Sequence, residues 1–235
     1  MIIVLLAALI PCFVLHVGTM AFAGWLLGAT LEEVSFGFGP PCFQSRIGRV
    51  QFRFGLIPLG GYARFKGDQE PAKSKEEILF AADLGPPGFN DLHPLRRAAV
   101  AASGCLALVV LAALCLGPSH SVRSVARGFA QLLPFAPWTP SWVPEGRELA
   151  SRCFSLFRIG PFRIALGVLA AKMAAANLLP FPPLNGGVII LTLLQWRRGL
   201  PEKIVDGVTT LGALCAVCLM IYWSFQILLV LIRPG

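Results

Sequence analysis

The sequence predicts an α-helical integral membrane protein with about four transmembrane helices, a small β-hairpin or sheet insertion between the first and second, and a broken third helix. Three observations carry this expectation. Hydrophobic residues make up 56% of the 235 and charged residues 14%, with a mean hydropathy of +0.71, beyond the apolar share of an ordinary soluble domain. Long apolar runs lie at about 2–27, 98–116, 164–196 and 208–232, each near or above the roughly 20 residues that cross a bilayer as a helix. Between the first two, residues 34–65 alternate apolar and polar side chains, the period of a strand rather than a helix.

The first run, Ile2 to Leu27, carries one ionisable residue near its middle, His16. Residues four apart share a helix face, so Cys12, His16 and Met20 point one way with Thr19 beside them. A polar residue at that depth belongs on an inward face. Ala21-Phe22-Ala23 resembles a small-x-small cleavage site. No base precedes the run, however, and it exceeds the 7 to about 15 residues of a signal core, so a retained helix is expected.

In the insertion, Val34-Ser35-Phe36-Gly37-Phe38-Gly39 and Arg49-Val50-Gln51-Phe52-Arg53-Phe54-Gly55 are punctuated by Pro58, Gly60 and Gly61, which predicts short strands in hairpins over about 34–65. Residues 66–94 turn charged and Pro/Gly-rich and read as a polar surface loop. The second run follows Arg96-Arg97. Residues 118–158, with Pro134, Pro137, Pro140, Pro144, Trp138 and Trp142, read as a mixed connection at the membrane interface. The third run is interrupted at 177–187 by Asn177-Leu178-Leu179-Pro180-Phe181-Pro182-Pro183-Leu184-Asn185-Gly186-Gly187. Broken backbone at membrane depth persists where it lines a cavity or packs on protein, so this break marks an internal site. The whole of 1–235 is expected to form a single membrane domain.

The formal net charge of +8 would suggest a nucleic-acid partner in a soluble chain. Here the bases flank apolar spans, where the anionic leaflet and the topology rule account for them, so lipids are the expected contact and nucleic acid is not. Even spans put both termini on one side; the bases at Arg96-Arg97 and Arg197-Arg198-Lys203 then make 28–97 and 197–206 cytoplasmic, in a bacterial cytoplasmic membrane. Of the seven cysteines, Cys12, Cys105, Cys115, Cys215 and Cys218 sit in apolar runs as small hydrophobes, and Cys215-x-x-Cys218 reads as packing rather than redox chemistry. Lys172 is either a snorkelling residue or the partner of a polar cavity group.

These blocks together resemble the site-2 protease family of intramembrane zinc metallopeptidases, in a compact form without a PDZ domain. The family's first-helix H-E-x-x-H is followed at fixed distance by a glycine and S-x-G-F-G; the same spacing runs here from His16 through Gly28 to Ser35-Phe36-Gly37-Phe38-Gly39. Its P-L-G-G-Y matches Pro58-Leu59-Gly60-Gly61-Tyr62, and its N-x-x-P-x-x-x-L-D-G matches Asn177, Pro180, Leu184, Asn185 and Gly186. The resemblance implies zinc held by the two histidines and the aspartate, with the glutamate taking a proton from metal-bound water. In this chain the base position is Val17 and the ligand positions are His16, Met20 and Asn185, so one ligand of three remains. Where the family often has A-G-P-x-x-N, this chain reads Ser103-Gly104-Cys105-Leu106-Ala107-Leu108.

A thioether is a poor substitute for imidazole on Zn²⁺, and an amide removes the charge that would offset the ion. Loss of a general base alone forfeits about 10²- to 10⁴-fold in rate. The expectation is therefore a pseudoprotease with no catalytic residue, metal ligand or cofactor. It would bind transmembrane segments of other proteins, or regulate an active relative, through a retained substrate region of Asn177, Pro180, Leu184, Asn185, Gly186, Gly60 and Gly61. Two alternatives stand beside it. One is a residual zinc metalloendopeptidase with rearranged ligands, for which His93 and His120 are the remaining histidines. The other is Cu(I) binding by the soft donors Cys12, His16 and Met20, aided by Met173 and Met220; against it, Cys and Met stripes on apolar helices are usually core.

Overall fold

The computed structural model describes residues 2–67, 88–132, 155–156 and 160–232. Its elements are α1 (Ile2–Leu26), β1 (Leu31–Ile47), β2 (Val50–Phe65), a 3₁₀ turn (Phe89–Asp91), α2 (Pro94–Leu116), α3 (Pro118–Leu132), α4 (Phe162–Asn177), α5 (Asn185–Arg198) and α6 (Glu202–Ile232). They fall into two compact units, Ile10–Ala107 with Val188–Leu200, and Met1–Leu9 with Leu108–Gly187 and Pro201–Gly235.

In the first unit, α1 ends where Gly28 takes φ +95°. Gly28 N–H donates to Trp25 O and Ala29 N–H to Gly24 O, the paired bonds of a glycine-terminated helix that satisfy its last carbonyls. The chain then folds back on α1 as β1 and β2, joined by the two-residue turn Gly48-Arg49 between the paired Ile47 and Val50. Each strand is long enough to contribute twice. Val34 faces Ala63 on one side and Phe52 on the other, while Phe43 faces Phe54. Four strand segments therefore lie side by side in the order 41–47, 50–54, 33–36, 61–65, a small sheet of short strands as expected for this insertion.

One face of this sheet is apolar and packs on α1. Val17 and Ala21 cluster with Val34, Phe36, Phe52 and Ala63, and Phe65 lies over Gly24, where its ring fills the space a side chain would need. Phe65 pairs with Leu31 and Gly61 pairs with Phe36, while Gly61 meets Val17. The sheet thus runs back along α1 from residue 24 to residue 17, about 10 Å along the helix axis. Phe65 also stacks on Phe89, with ring centroids 4.9 Å apart, in a second cluster with Ala29, Leu92 and Val100. On the opposite, polar face, Glu33 is 2% exposed. Its Oε1 accepts from Tyr62 Oη at 2.8 Å and Arg53 Nη1 at 3.3 Å, and its Oε2 accepts from Arg64 Nη2.

In the second unit, α4 buries Ala165, Gly167, Ala170, Ala171, Ala174 and Ala175, small residues that let neighbouring backbones approach closely. Gly167 meets Cys115 and Leu116 of α2, and Gly128 of α3 meets Lys172 and Ala175. Ala8 and Ala165 form a small core with Val4, Leu5 and Leu169.

Three differences from the sequence reading follow. Residues 118–132, read as part of a mixed connection, form α3, a helix whose buried Ser121 satisfies itself on Pro118 O at 2.8 Å. Among the described residues, α1 and α2 are long and apolar enough to cross a membrane; the third run is the pair α4 and α5, of 16 and 14 residues, on either side of the break. Lys172 Nζ donates to Ser124 O at 3.3 Å, a backbone partner on α3. The charged stretch 68–87 and the Pro/Trp-rich stretch 133–154 lie outside the described residues.

Candidate functional site

His16 is 6% exposed and Val17 1%. The backbone of α2 passes close to His16: a methyl group at Gly104 would lie 2.6 Å from His16 Nδ1 and 2.7 Å from its carbonyl oxygen. A glycine there is what lets α2 cross α1 at this depth. Next to Gly104, Ser103 Oγ turns back to Val100 O at 2.7 Å.

One residue on, Val17 belongs to the apolar cluster under the sheet, where Gly61 leaves it room. An active metallopeptidase needs a carboxylate at this position, beside metal-bound water. Here the side chain is surrounded by Ala21, Val34, Phe36, Phe52 and Ala63. The donor set is unsuited to zinc for the same reason. His16 offers one imidazole and Met20 a thioether, and among the described residues no three of His, Cys, Asp or Glu come together to hold a metal ion. Cys12 and Met20 are eight helical residues apart, about 12 Å along the axis, too far to share one ion with His16. His93 is exposed and packs edge-on against Trp196 at 5.2 Å, and exposed His120 lies beside Ser119.

The Gly60-Gly61 pair opens the last strand segment. Gly60 has φ +137°, and a methyl group on Gly61 would strike Ser35 O and come within 3.0 Å of Val17 Cγ2. Directly after them, Tyr62 reaches Glu33. Burial alone would raise the Glu33 pKa, but the Tyr62 hydroxyl, the Arg64 charge and Arg53 outweigh it, and the carboxyl is held below its ordinary range. Tyr62 moves upward, through burial and through its bond to the Glu33 carboxylate.

The residues of the broken run lie in the second unit. Asn177 closes α4, and its Nδ2 donates to Met173 O at 2.9 Å. Leu178 N–H donates to Ala174 O and Leu184 N–H to Phe181 O, so the break keeps local turns. Leu179 is buried, Pro180 is exposed, and Leu184 and Asn185 are half-buried, with Asn185 opening α5. Gly186 has no room for a side chain against Leu178 O, nor Gly187 against Phe181, nor Gly212 of α6 against Pro182 O. The break is a tight backbone knot.

Sequence reasoning missed Glu33 and Gly104. A signal for Glu33 was present: in the alternating stretch its parity is that of Ser35 and Arg53, so an acid and a base share one face. Nothing in the local text marked Gly104 as the crossing point.

The comparisons bear on residues 4–135, which match the model of peptidase family M50. A Chlamydia trachomatis protein named "Putative zinc metalloprotease" is 31% identical over 133 residues, 54% of this chain and 21% of that protein. A Chlamydia pneumoniae protein of similar name is 38% identical over 124 residues, 51% of this chain and 20% of its own length. One from Treponema pallidum is 30% identical over 105 residues, 44% of this chain and 23% of the relative. The chain spans about a fifth of the length of these curated relatives. With the family model covering 4–135 of 235 residues, on the stretch that holds α1, the sheet and α2, the chain belongs to peptidase family M50, the membrane-embedded site-2 protease family.

Proposed function

We propose that this chain is a multi-pass, catalytically silent site-2 protease that captures segments of other membrane proteins, either as clients or to regulate an active relative. The observation that carries the reading is the environment of Val17. The position where the family places its general base is 1% exposed and apolar on every side that the sheet supplies, and two of the family's three ligand positions hold Met20 and Asn185. General acid–base and metal assistance are then both lost, and among the described residues no cluster of His, Cys, Asp or Glu makes up for either.

What such a chain retains is backbone. Among the described residues, the register leaves the outer sides of 42–47 and 61–64 without a ladder partner. An extended peptide can add to such an edge as a further strand, with main-chain hydrogen bonds giving affinity. The edge at 61–64 begins at Gly60 and Gly61, beside Val17, so a captured segment would lie near the position of the lost chemistry without being cut. Asn177, Pro180, Leu184, Asn185 and Gly186 are the corresponding candidates in the broken run. Residues 28–97 and 197–206 face the cytoplasm in this reading.

The test is reconstitution of the full chain with a fluorescent single-pass membrane peptide. Energy transfer showing association, with the peptide intact after prolonged incubation, is the expected outcome. The relatives' metalloprotease names favour the other reading, a zinc endopeptidase. Chelator-sensitive cleavage that is lost in His16→Ala, together with stoichiometric zinc, would establish that reading and end this one; absence of association would end the capture proposal as well.

A further inference from the structure

The apolar face of the sheet is wider than the part of α1 that covers it. Gly61, Ala63, Phe65 and Val34 sit under the helix, while Phe54, Phe43 and Ile47 on the same face extend beyond it and are 43%, 58% and 67% exposed. Phe36, Phe54 and Phe43 form a ladder across three strand segments, with centroids 5.3 and 5.9 Å apart. Where the overhanging sheet leaves α1 there is a cavity of about 280 Å³, lined by Gly18, Ala21, Phe22 and Trp25 on the helix and by residues including Phe36 and Phe52 on the sheet.

Two further observations say what fills it. First, the groove is continuous with a flank of α1 that is apolar and open: Ile10, Val14, Phe22, Trp25 and Leu26 are all exposed, Trp25 by 63%. In a helix apolar enough to cross a membrane, within a membrane-embedded family, that flank faces lipid. Second, the register fixes depth. Gln51 to Phe54 lie beside Glu33 to Phe36 with the two numberings rising together, so Phe54 is level with Val17, deep along α1. The turn Gly48-Arg49 lies beyond Gln51, toward the Trp25 end, where α1 leaves the apolar layer. Arg49 is exposed there, in the turn that follows Ile47. Apolar side chains deep, a tryptophan at the boundary and a base above it are the order of groups along a phospholipid with an anionic head.

We propose that this groove seats one acyl chain of an anionic phospholipid, with Arg49 meeting its headgroup at the level of Trp25. The lipid completes the covering of the sheet that α1 leaves open and holds the overhanging segment against the helix. This site is independent of peptide capture at the strand edges.

Gly18 supplies the test, because nothing lies within 4 Å of a methyl group built there. Gly18→Leu therefore directs its side chain into the groove from the helix side, with open space around its first carbon. The full chain is reconstituted in phosphatidylcholine vesicles in which a tenth of the lipid is brominated on its acyl chains, as either phosphatidylglycerol or phosphatidylcholine, and quenching of Trp25 is taken as wild type minus Trp25→Phe. Brominated phosphatidylglycerol is expected to behave as if enriched roughly fivefold over phosphatidylcholine, the factor one basic residue near a bilayer surface provides. Gly18→Leu should bring both lipids to the lower level, and Arg49→Gln should remove the preference while leaving the chain quenched. Equal quenching by the two lipids in the wild type, or a preference that survives Gly18→Leu, overturns the proposal.

Discussion

The broken third run and the α1–sheet junction are built in opposite ways. At the break, Gly186, Gly187 and Gly212 each abut main-chain atoms of the turn between Leu178 and Pro182. The geometry is set by backbone on backbone, and any side chain there displaces it. At the junction, positions 17 and 21 of α1 meet the sheet through side chains, and an apolar cluster can form around whatever apolar residue is supplied. In this chain valine stands at the family's base position inside a side-chain-packed junction, whereas the glycines of the knot leave no space for any side chain.

The largest effect should come from breaking the knot. Gly212→Leu places four carbons against the Pro182 carbonyl, where not even one fits. Neither partner is the free end of a side chain, so the expected loss is about 3 kcal/mol or more, at or past the upper range for overpacking. The expected result is a chain that fails to accumulate or melts far below the wild type in a thermal unfolding scan. Gly207→Leu on the same helix has open space around it and is the control that should melt near the wild-type temperature.

Next in size is restoring the acid at the junction. Val17→Glu buries a carboxyl among Ala21, Val34, Phe36 and Phe52 with no base facing it in that cluster. A destabilisation of about 2–4 kcal/mol is expected, the range for an unpaired buried polar or ionisable group. An unchanged melting temperature would mean that the junction still accommodates a catalytic group, and the contrast between the two regions would collapse. The same measurement on Val17→Ile, expected to lie within about 1.5 kcal/mol of wild type, separates charge from volume.

How much of this was legible beforehand follows the same division. The break was visible in the text because prolines and glycines act through the backbone, and three prolines with two glycines in 177–187 leave few alternatives. The apolar runs gave α1, α2 and the two halves of the third run within a few residues of their ends. Period-two alternation predicts a small sheet of short strands but not its strand order, because it reports which face a residue takes, not how many neighbours a strand has. Only the pairing of Val34 with both Ala63 and Phe52 turns two strands into four segments. α3 was missed because its composition is polar and its apolar positions are spaced for one buried face, which a scan for long apolar runs passes over. The burial of Val17 was beyond the sequence: valine in a membrane helix faces lipid as readily as protein.

A third effect, smaller and dependent on pH, sharpens the junction. Glu33 is buried and accepts from Tyr62, Arg53 and Arg64 across three strand segments, so it pins the sheet's polar face as the Val17 cluster pins the apolar one. Its pKa is lowered in the folded chain. The stability it contributes is therefore present above the ordinary glutamate range and is lost as the pH falls through its lowered value. Glu33→Gln should cost about 1–3 kcal/mol near neutral pH, toward the lower end because Arg53 and Arg64 are partly exposed. Between neutral pH and acid, the wild type should lose melting temperature faster than the variant. Parallel slopes for the two would show that the carboxylate carries no net charge-dependent stability.

The smallest effect falls at the edge of the knot and tests whether side chains matter there at all. Asn177 is the last residue of α4, and its Nδ2 donates to Met173 O one turn back, just before the four terminal carbonyls that the helix itself leaves free. Leu178 N–H meanwhile takes Ala174 O, so the side-chain bond and the first turn of the break close the helix together. Asn177→Ala removes the first and leaves the second, at a cost of about 1 kcal/mol. Asn177→Asp is isosteric but donates nothing and turns a carboxylate toward that carbonyl, so it should melt below Asn177→Ala. If aspartate instead equals or exceeds asparagine, the bond to Met173 is not what holds this residue. The knot would then be set by backbone alone, even at its margin.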